Sequence, residues 1–285
     1  MVAQILVDGT INGAIYALLA IGFTLTFGAA NILNLYHGTY YMLGAYFVYA
    51  LLSMFSIPLI FAVIFSILIV MIIGVFLYYP IKILQKHGGS TSVLIFTLVA
   101  SYFTQYLLTQ IFGSTNLNIP SFINGSLNIL GVNVAFSRLL ALLISLIIII
   151  LISLFMLYAR IGKEIVITAQ DSYIAQILGI NTNRVLIITI AISAMLAALA
   201  GIMISPFLTL VPNMWLSPLI MAFSIVILGG LGSIVGSIIA AFIIGYIQSG
   251  ISIAISSEAA EIVILAVIIL VIIFRPSGLL GKKID

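Results

Sequence analysis

The sequence predicts an all-α, polytopic membrane helix bundle with eight or nine transmembrane helices, and three observations carry that reading. Of 285 residues, 64% are hydrophobic and only 5% are charged, against the roughly 25% charged residues of a soluble domain. Uninterrupted apolar stretches such as 139–158 and 185–204 reach the ~20 residues that a helix needs to cross a hydrocarbon core. No ~10-residue segments of alternating polarity, the mark of a membrane β-barrel, interrupt them. Helices are the form expected in lipid, because a helix satisfies its own backbone hydrogen bonds.

In chain order, the apolar runs between polar breaks give spans at 9–29, 31–54, 57–79, 91–112, 137–159, 184–205, 216–230, 233–256 and 260–275. The second is polar at its start and the seventh is short. Either can be a broken or re-entrant helix, hence eight or nine. Residues 1–285 are expected to form a single transmembrane domain, whose longest non-spanning pieces are a loop near 113–136 and another at about 160–184. Met1–Thr10 lacks a basic leader and a small-residue cleavage site, so the first span is expected to stay in the protein. Cysteine is absent, which excludes disulfides.

Basic residues accumulate in cytoplasmic loops. Nine alternating spans with the C-terminus inside place Lys82, Lys86, Arg160, Lys163, Arg184, Arg275, Lys282 and Lys283 on one side, eight of the nine basic residues, and only Arg138 on the other. Asp8, Glu258 and Glu261 fall with Arg138, and so do the N-terminus and the loop 113–136, which holds the sequon Asn124-Gly125-Ser126.

The chain carries few of the constellations that do chemistry. His37 and His87 have no partner at metal-ligand spacing. A phosphate-cradling loop needs Gly-Lys followed by Ser or Thr, but Gly162-Lys163 precedes Glu164 and Gly281-Lys282 precedes Lys283. The chain is therefore expected not to be an enzyme and to bind no metal or other cofactor. Ion-driven carriers usually bury charged relays in their spans, whereas every charged residue here lies at or beyond a span end.

Three features remain. In the loop 160–184, Val166, Ala169, Tyr173 and Ile177 recur at helical spacing, with Ile174 and Leu178 beside them. Thr168, Asp171, Ser172, Ala175 and Gln176 lie opposite, and Gly179 ends the run. This predicts one short amphipathic helix over 164–179, lying on lipid or docking into a partner protein. Near the first spans, Asn12, Asn31, Asn34, His37 and Gly38 are polar or helix-breaking residues in apolar surroundings. They either hydrogen-bond between helices or line a wet pathway. Gly229, Gly230, Gly232 and Gly236 stand between the seventh and eighth spans. There small residues let helix backbones approach closely, and the break can act as a hinge. A short likeness between Leu35–Thr39 and Ser233–Ser237 hints at an inverted repeat.

Together these stretches resemble the branched-chain amino-acid permeases of ABC importers, of the LivH type. The likeness runs through Asn12-Gly13, Tyr16-Ala17-Leu18 and Asn34-Leu35-Tyr36-His37-Gly38. It continues in Ala169-Gln170-Asp171, Ala175, Leu178-Gly179-Ile180-Asn181 and Arg184. It ends with Val226–Ser233, Gly236 and Arg275-Pro276-Ser277-Gly278-Leu279-Leu280-Gly281. Where the family usually has Asn-x-Ala-His-Gly, Leu35-Tyr36 precede His37. The resemblance implies a path-forming subunit that pairs with a second, LivM-like permease, with two cytoplasmic ATPases that use ATP and Mg, and with an extracytoplasmic substrate-binding protein. It makes Glu164, Ala169, Gln170, Asp171, Ala175 and Gly179 candidates for ATPase coupling, and Asn31, Asn34, His37 and Gly38 candidates for the pathway or its gate. An ATP-independent secondary carrier, or a channel for a small polar solute, is the alternative.

Overall fold

The computed structural model describes residues 1–114, 116–129, 131–275 and 278–281. Pro276, Ser277, Lys282 and Lys283, which figure above, lie outside the described residues. The helices are α1 (Val2–Ala30), α2 (His37–Ser53), α3 (Leu59–Phe112), α4 (Phe136–Tyr158), α5 (Arg160–Gln170), α6 (Ser172–Ile177), α7 (Thr182–Ile204), α8 (Leu216–Gly229), α9 (Ile234–Ala254) and α10 (Ser257–Phe274). Among the described residues, six helices are long and apolar enough to cross a membrane: α1, α3, α4, α7, α9 and α10. Helix α8 is apolar but has only 14 residues.

Two of the predicted spans share α3. Its 54 residues are interrupted at Gly89, whose φ of 69° and ψ of −171° belong to no helix. A side chain is disfavoured at that φ, so glycine is the residue that allows the chain to turn back. The first half runs well past its apolar stretch. There Lys82 Nζ donates to Asn183 Oδ1 at 2.6 Å and Gln85 Nε2 donates to the Ala30 carbonyl at 3.1 Å. These bonds gather the end of α1, the turn of α3 and the start of α7 at one end of the bundle. At the other end Arg138 on α4 pairs with Asp8 on α1 at 2.5 Å.

Helix α1 is the centre of the bundle. Its most extensive contact is with α9, and it also packs on α7, α4 and α8. From Ile11 to Thr26 every residue is buried except Asn12 and Tyr16. Contacts run antiparallel along the α1–α9 pair, from Gly9 against Tyr246, through Gly13 against Phe242 and Gly245, to Gly28 beside Gly232. Helices α2 and α7 meet as closely: a Cβ on Gly44 would come within 2.5 Å of the Ala198 carbonyl, and one on Gly201 would overlap the Tyr41 backbone. Without a hydrophobic difference between lipid and side chain, such backbone approach is what holds membrane helices together.

The loop 113–136 forms what the apolar pattern did not foretell, an antiparallel hairpin of β1 (Ser126–Ile129) and β2 (Val132–Ala135), with Ser126 opposite Ala135 and Ile129 opposite Val132. Ser137, at the start of α4, clamps it: its hydroxyl donates to the Ile123 carbonyl at 2.9 Å and accepts from the Ile123 amide at 3.0 Å.

Filling the α2–α7 approach should loosen the bundle. Gly44→Val is expected to cost about 1–3 kcal/mol, the usual penalty of overpacking. Gly250→Ala, whose added Cβ would meet nothing nearer than 3.9 Å, is expected to leave stability unchanged. Thermal unfolding in detergent compares the two.

Candidate functional site

A cavity of about 580 Å³ opens at the end of the bundle where α1 finishes. Its walls are the last turns of α1 (Thr24 to Asn31), Met156 of α4, Ile165 to Gln170 of α5, the turn 231–234 and the chain at Leu280 and Gly281. The turn is built by conformation. Gly230 (φ 102°) closes α8, Gly232 (φ 84°) follows, and the Ser233 hydroxyl caps α9 by accepting from the Gly236 amide at 3.1 Å. Gly229 and Gly236 touch backbone to backbone, and a Cβ on either would overlap the other residue. The last carbonyls of α8 are capped by the C-terminal segment, with Leu279 N donating to Leu228 O at 2.8 Å and Leu280 N to Gly229 O at 3.0 Å. Deep in the cavity Thr24 and Ser237 share a buried hydrogen bond of 2.6 Å.

Of the polar residues singled out near the first spans, only Asn31 lines this cavity. It ends α1 in the left-handed conformation (φ 51°, ψ 39°), its amide donating to the Phe27 carbonyl. The chain then runs unwound to Tyr36. Asn34 is buried there and serves the backbone: its Oδ1 accepts from Tyr36 N at 3.1 Å and its carbonyl accepts from His37 N at 3.2 Å. His37 begins α2 and is fully buried. Its Nε2 donates to the Leu19 carbonyl at 2.9 Å, so Nδ1 is the acceptor facing the Ser193 hydroxyl at 3.3 Å. The ring stands edge-on to Phe23, and Gly38 packs against the Trp215 carbonyl and Leu219 at the start of α8. His37, Gly38 and Asn34 thus sit in the sealed layer beyond the cavity. Asn12 lies apart, at the other end of α1, its Nδ2 donating to Ser249 Oγ at 3.3 Å.

The predicted helix over 164–179 is two helices, a correction with a clear cause. Asp171 leaves the helical region (φ −158°, ψ 110°), and its Oδ1 accepts from the amides of Tyr173 at 2.8 Å and Ile174 at 3.0 Å, ending α5 and capping α6. Most of the apolar face that the sequence marks is exposed, as a surface lying on lipid or docking into a partner would be. Gly162, Ile165, Thr168 and Ala175 face the protein, while Val166, Tyr173, Ile174, Ile177 and Leu178 are exposed. Close approach decides this: Gly162 lies on the backbone of Phe155 and Met156, a contact that no larger residue could make. Glu164 holds Arg160 at 3.1 Å. Ala169 and Gln170 line the cavity, with Ala169 beside Gly28. Gly179 (φ 79°) turns the chain toward the Asn181 cap of α7.

The sequence matches the family described as branched-chain amino acid transport system / permease component over residues 5–272. The chain belongs to that family. Relatives span it end to end. The high-affinity branched-chain amino acid transport system permease protein LivH of Escherichia coli K12 is 30% identical, and BraD of Pseudomonas aeruginosa 28%, each alignment covering 98% of this chain and 95% of the relative. A probable LivH of Methanocaldococcus jannaschii is 26% identical over 98% of this chain and 92% of its own length.

For a permease, a recess with a largely apolar lining and a few polar groups that ends at a closed layer is the relevant geometry, and not every residue of it stands out in the sequence. Thr24 is one of two nearby hydroxyls in an apolar run and Ser237 one of several small residues in α9, and their pairing across α1 and α9 is what the sequence does not show. Among the described residues no cluster of three metal-ligating side chains occurs.

The Thr24–Ser237 bond should show strong non-additivity. Thr24→Val alone leaves a buried hydroxyl unpaired and is expected to cost about 1–3 kcal/mol. Thr24→Val with Ser237→Ala should recover most of that loss. A double-mutant cycle by denaturation in detergent measures it.

Proposed function

We propose that this permease chain is a path-forming subunit of an ATP-driven importer that carries branched-chain or related amino acids across the cell membrane. The observation that carries the reading is kinship over nearly the whole chain with permeases named for that transport. In this reading the chain crosses the membrane nine times, by α1, α2, the two halves of α3, α4, α7, α8, α9 and α10. The N-terminus lies outside and the C-terminus in the cytoplasm, since Lys82, Lys86, Arg160, Lys163 and Arg184 then face inward. The cavity beside Asn31 opens to the cytoplasm, and the layer of His37, Asn34 and Gly38 closes it from the outside.

In this reading ATP and Mg are handled by two partner ATPases, since the sequence has no Gly-Lys followed by Ser or Thr. A second, LivM-like permease completes the path and an extracytoplasmic binding protein delivers the solute. The coupling surface is α5–α6, with Glu164, Ala169, Gln170, Asp171, Ala175 and Gly179 fixing its shape. Its exposed Tyr173, Ile174, Ile177 and Leu178 form the apolar patch that an ATPase groove would cover. Because α5 walls the cavity, a push on α6 reaches the path through one rigid turn. Gly229, Gly230, Gly232 and Gly236 form the hinge on the opposite wall.

Two measurements test this. Purification of the complex from native membranes in mild detergent should yield two ATPases and a second permease. A chain that emerges alone and carries solute without ATP would instead be a secondary carrier or a channel. Asp171→Lys removes the acceptor that caps α6, and Gly179→Pro demands a negative φ where the chain has 79°. Both are expected to lower ATP-dependent leucine uptake more than about tenfold while the protein remains in the membrane, and normal uptake would remove the coupling assignment.

A further inference from the structure

Three cations gather where α3 leaves the membrane. Tyr78, Lys82 and Lys86 follow one another at four-residue steps on one face of α3, and that face meets the start of α7. There Asn183 Oδ1 accepts from the Tyr78 hydroxyl at 2.5 Å and from Lys82 Nζ at 2.6 Å. Arg184 is the next residue along α7. Lys82, Lys86 and Arg184 are all exposed.

Nothing among the described residues neutralises them. None of the three makes an ion pair there, and the one recorded bond of the Lys82 ammonium is to a neutral amide oxygen that it shares with Tyr78. The acids are committed or distant. Glu164 holds Arg160, Asp171 caps α6, and Asp8, Glu258 and Glu261 belong to the opposite end of the bundle. Three like charges held at one place attract an anion.

Depth says which anion. The apolar run of this span ends at Tyr78 and Tyr79, and tyrosines mark the boundary between hydrocarbon and headgroups. At ~1.5 Å per residue, Lys82 lies about 4.5 Å past Tyr79 and Lys86 about 10 Å. The headgroup layer is roughly 5–8 Å thick, and Arg184 opens its own span at the same end. Phe76, Tyr79 and Ile83, on the flank of α3 beside the charged face, are exposed apolar residues. A protein partner would have to bring its acids down to headgroup depth to meet Lys82, whereas lipid phosphate is already there.

We propose that Lys82, Lys86 and Arg184 bind the phosphate of an anionic phospholipid, whose acyl chains lie along Phe76, Tyr79 and Ile83. Tyr78 and Asn183 hold Lys82 in place, tying α3 to α7 beneath the headgroup. The site requires only that the chain spans the bilayer and is independent of the importer reading.

The test uses the protein purified in mild detergent with any subunits that accompany it, stripped of lipid and titrated with phosphatidylglycerol or phosphatidylcholine under native mass spectrometry. Phosphatidylglycerol is expected to bind at least about tenfold more tightly. A basic residue near an anionic surface contributes roughly fivefold in affinity. Lys82→Gln with Arg184→Gln should therefore reduce that preference by about tenfold or more. Arg160→Gln with Lys163→Gln removes two charges from the same end and should leave it within about twofold. Equal loss in both double variants would reduce the site to diffuse charge and overturn it. Glycerol phosphate, a headgroup without chains, should not displace the lipid at equal concentration, and displacement would assign the cations to free phosphate instead. No preference for phosphatidylglycerol, with accompanying subunits lost from the Lys82→Gln, Arg184→Gln variant, would give the patch to a protein partner. Loss of ATP-dependent transport alone would bear on the importer reading and leave the lipid site standing.

Discussion

Inside a medium that offers no hydrogen bonds, a chain can leave the helix only where something else receives its backbone. That constraint decides where this permease is irregular. The unwound piece 31–36 is possible because Asn34 turns its side chain and carbonyl onto the amides of Tyr36 and His37, and because Thr97 Oγ1 accepts from the Leu35 amide at 3.2 Å. The stretch between α7 and α8 is tied by the mutual bonds of Leu117 and Leu210, at 3.2 and 2.8 Å. The glycine turn after α8 is served by Ser233 on one side and by the returning C-terminal segment on the other. The first and third breaks coincide with a wall of the cavity or with the sealed layer. Irregular backbone is tolerated at membrane depth only when protein or a water-filled space surrounds it.

Helix α1 connects these places. Its first turns meet polar residues of α9, its middle is closed by His37, Phe23 and the glycine-permitted approach of α2 to α8, and its last turns open to the cavity. A neutral histidine is well matched to the closed layer. One ring nitrogen donates to a carbonyl and the other accepts a hydroxyl, so the ring joins α1, α2 and α7 without burying a charge. Opening that layer would require both bonds to exchange for water together with the rotation of α2, so it would switch rather than loosen gradually.

Much of this was legible in the sequence, for reasons that individual residues make plain. Apolar runs of span length survive any tertiary context, so α1, α4, α7, α9 and α10 overlap predicted spans, while two predicted spans share α3 and α8 is too short to count by length. The glycines at 229–236 are visible because only glycine supports their conformations or their closeness. The hairpin at 126–135 was not legible, since its strands are four residues long and carry asparagine and serine rather than an alternating apolar face. The bend at Asp171 looked like one more polar position on a helical face. An aspartate in such a run is compatible with either a solvated side chain or a cap, and only the backbone angle separates them. Nor did the pattern show what holds α5 and α6 to the bundle, because Gly162 and Ala175 gain their contacts from smallness, not hydrophobicity. At the site, the pattern marked Asn31 and His37 alike as costly polar residues. It could not say that one ends in a recess and the other in a sealed layer, since that depends on how α7 and α8 close around them.

The same economy explains how a tightly packed bundle can still move. At Gly245 against Gly13 on α1–α9, and at Gly229 against Gly236 between α8 and α9, contact is made by glycines over one another's backbones. Such surfaces interlock few side chains, so a helix can slide or tilt across them without forcing rotamers through one another, unlike a jigsaw core of large residues. The stiff elements are the caps. Asp171 fixes α6, Asn181 starts α7, Ser233 starts α9, and the segment at Leu279 and Leu280 closes α8. These four capped points lie around the turn, the short helices and the cavity. In the importer reading, a force applied at α6 would pass through these capped termini to helix–helix surfaces that interlock few side chains.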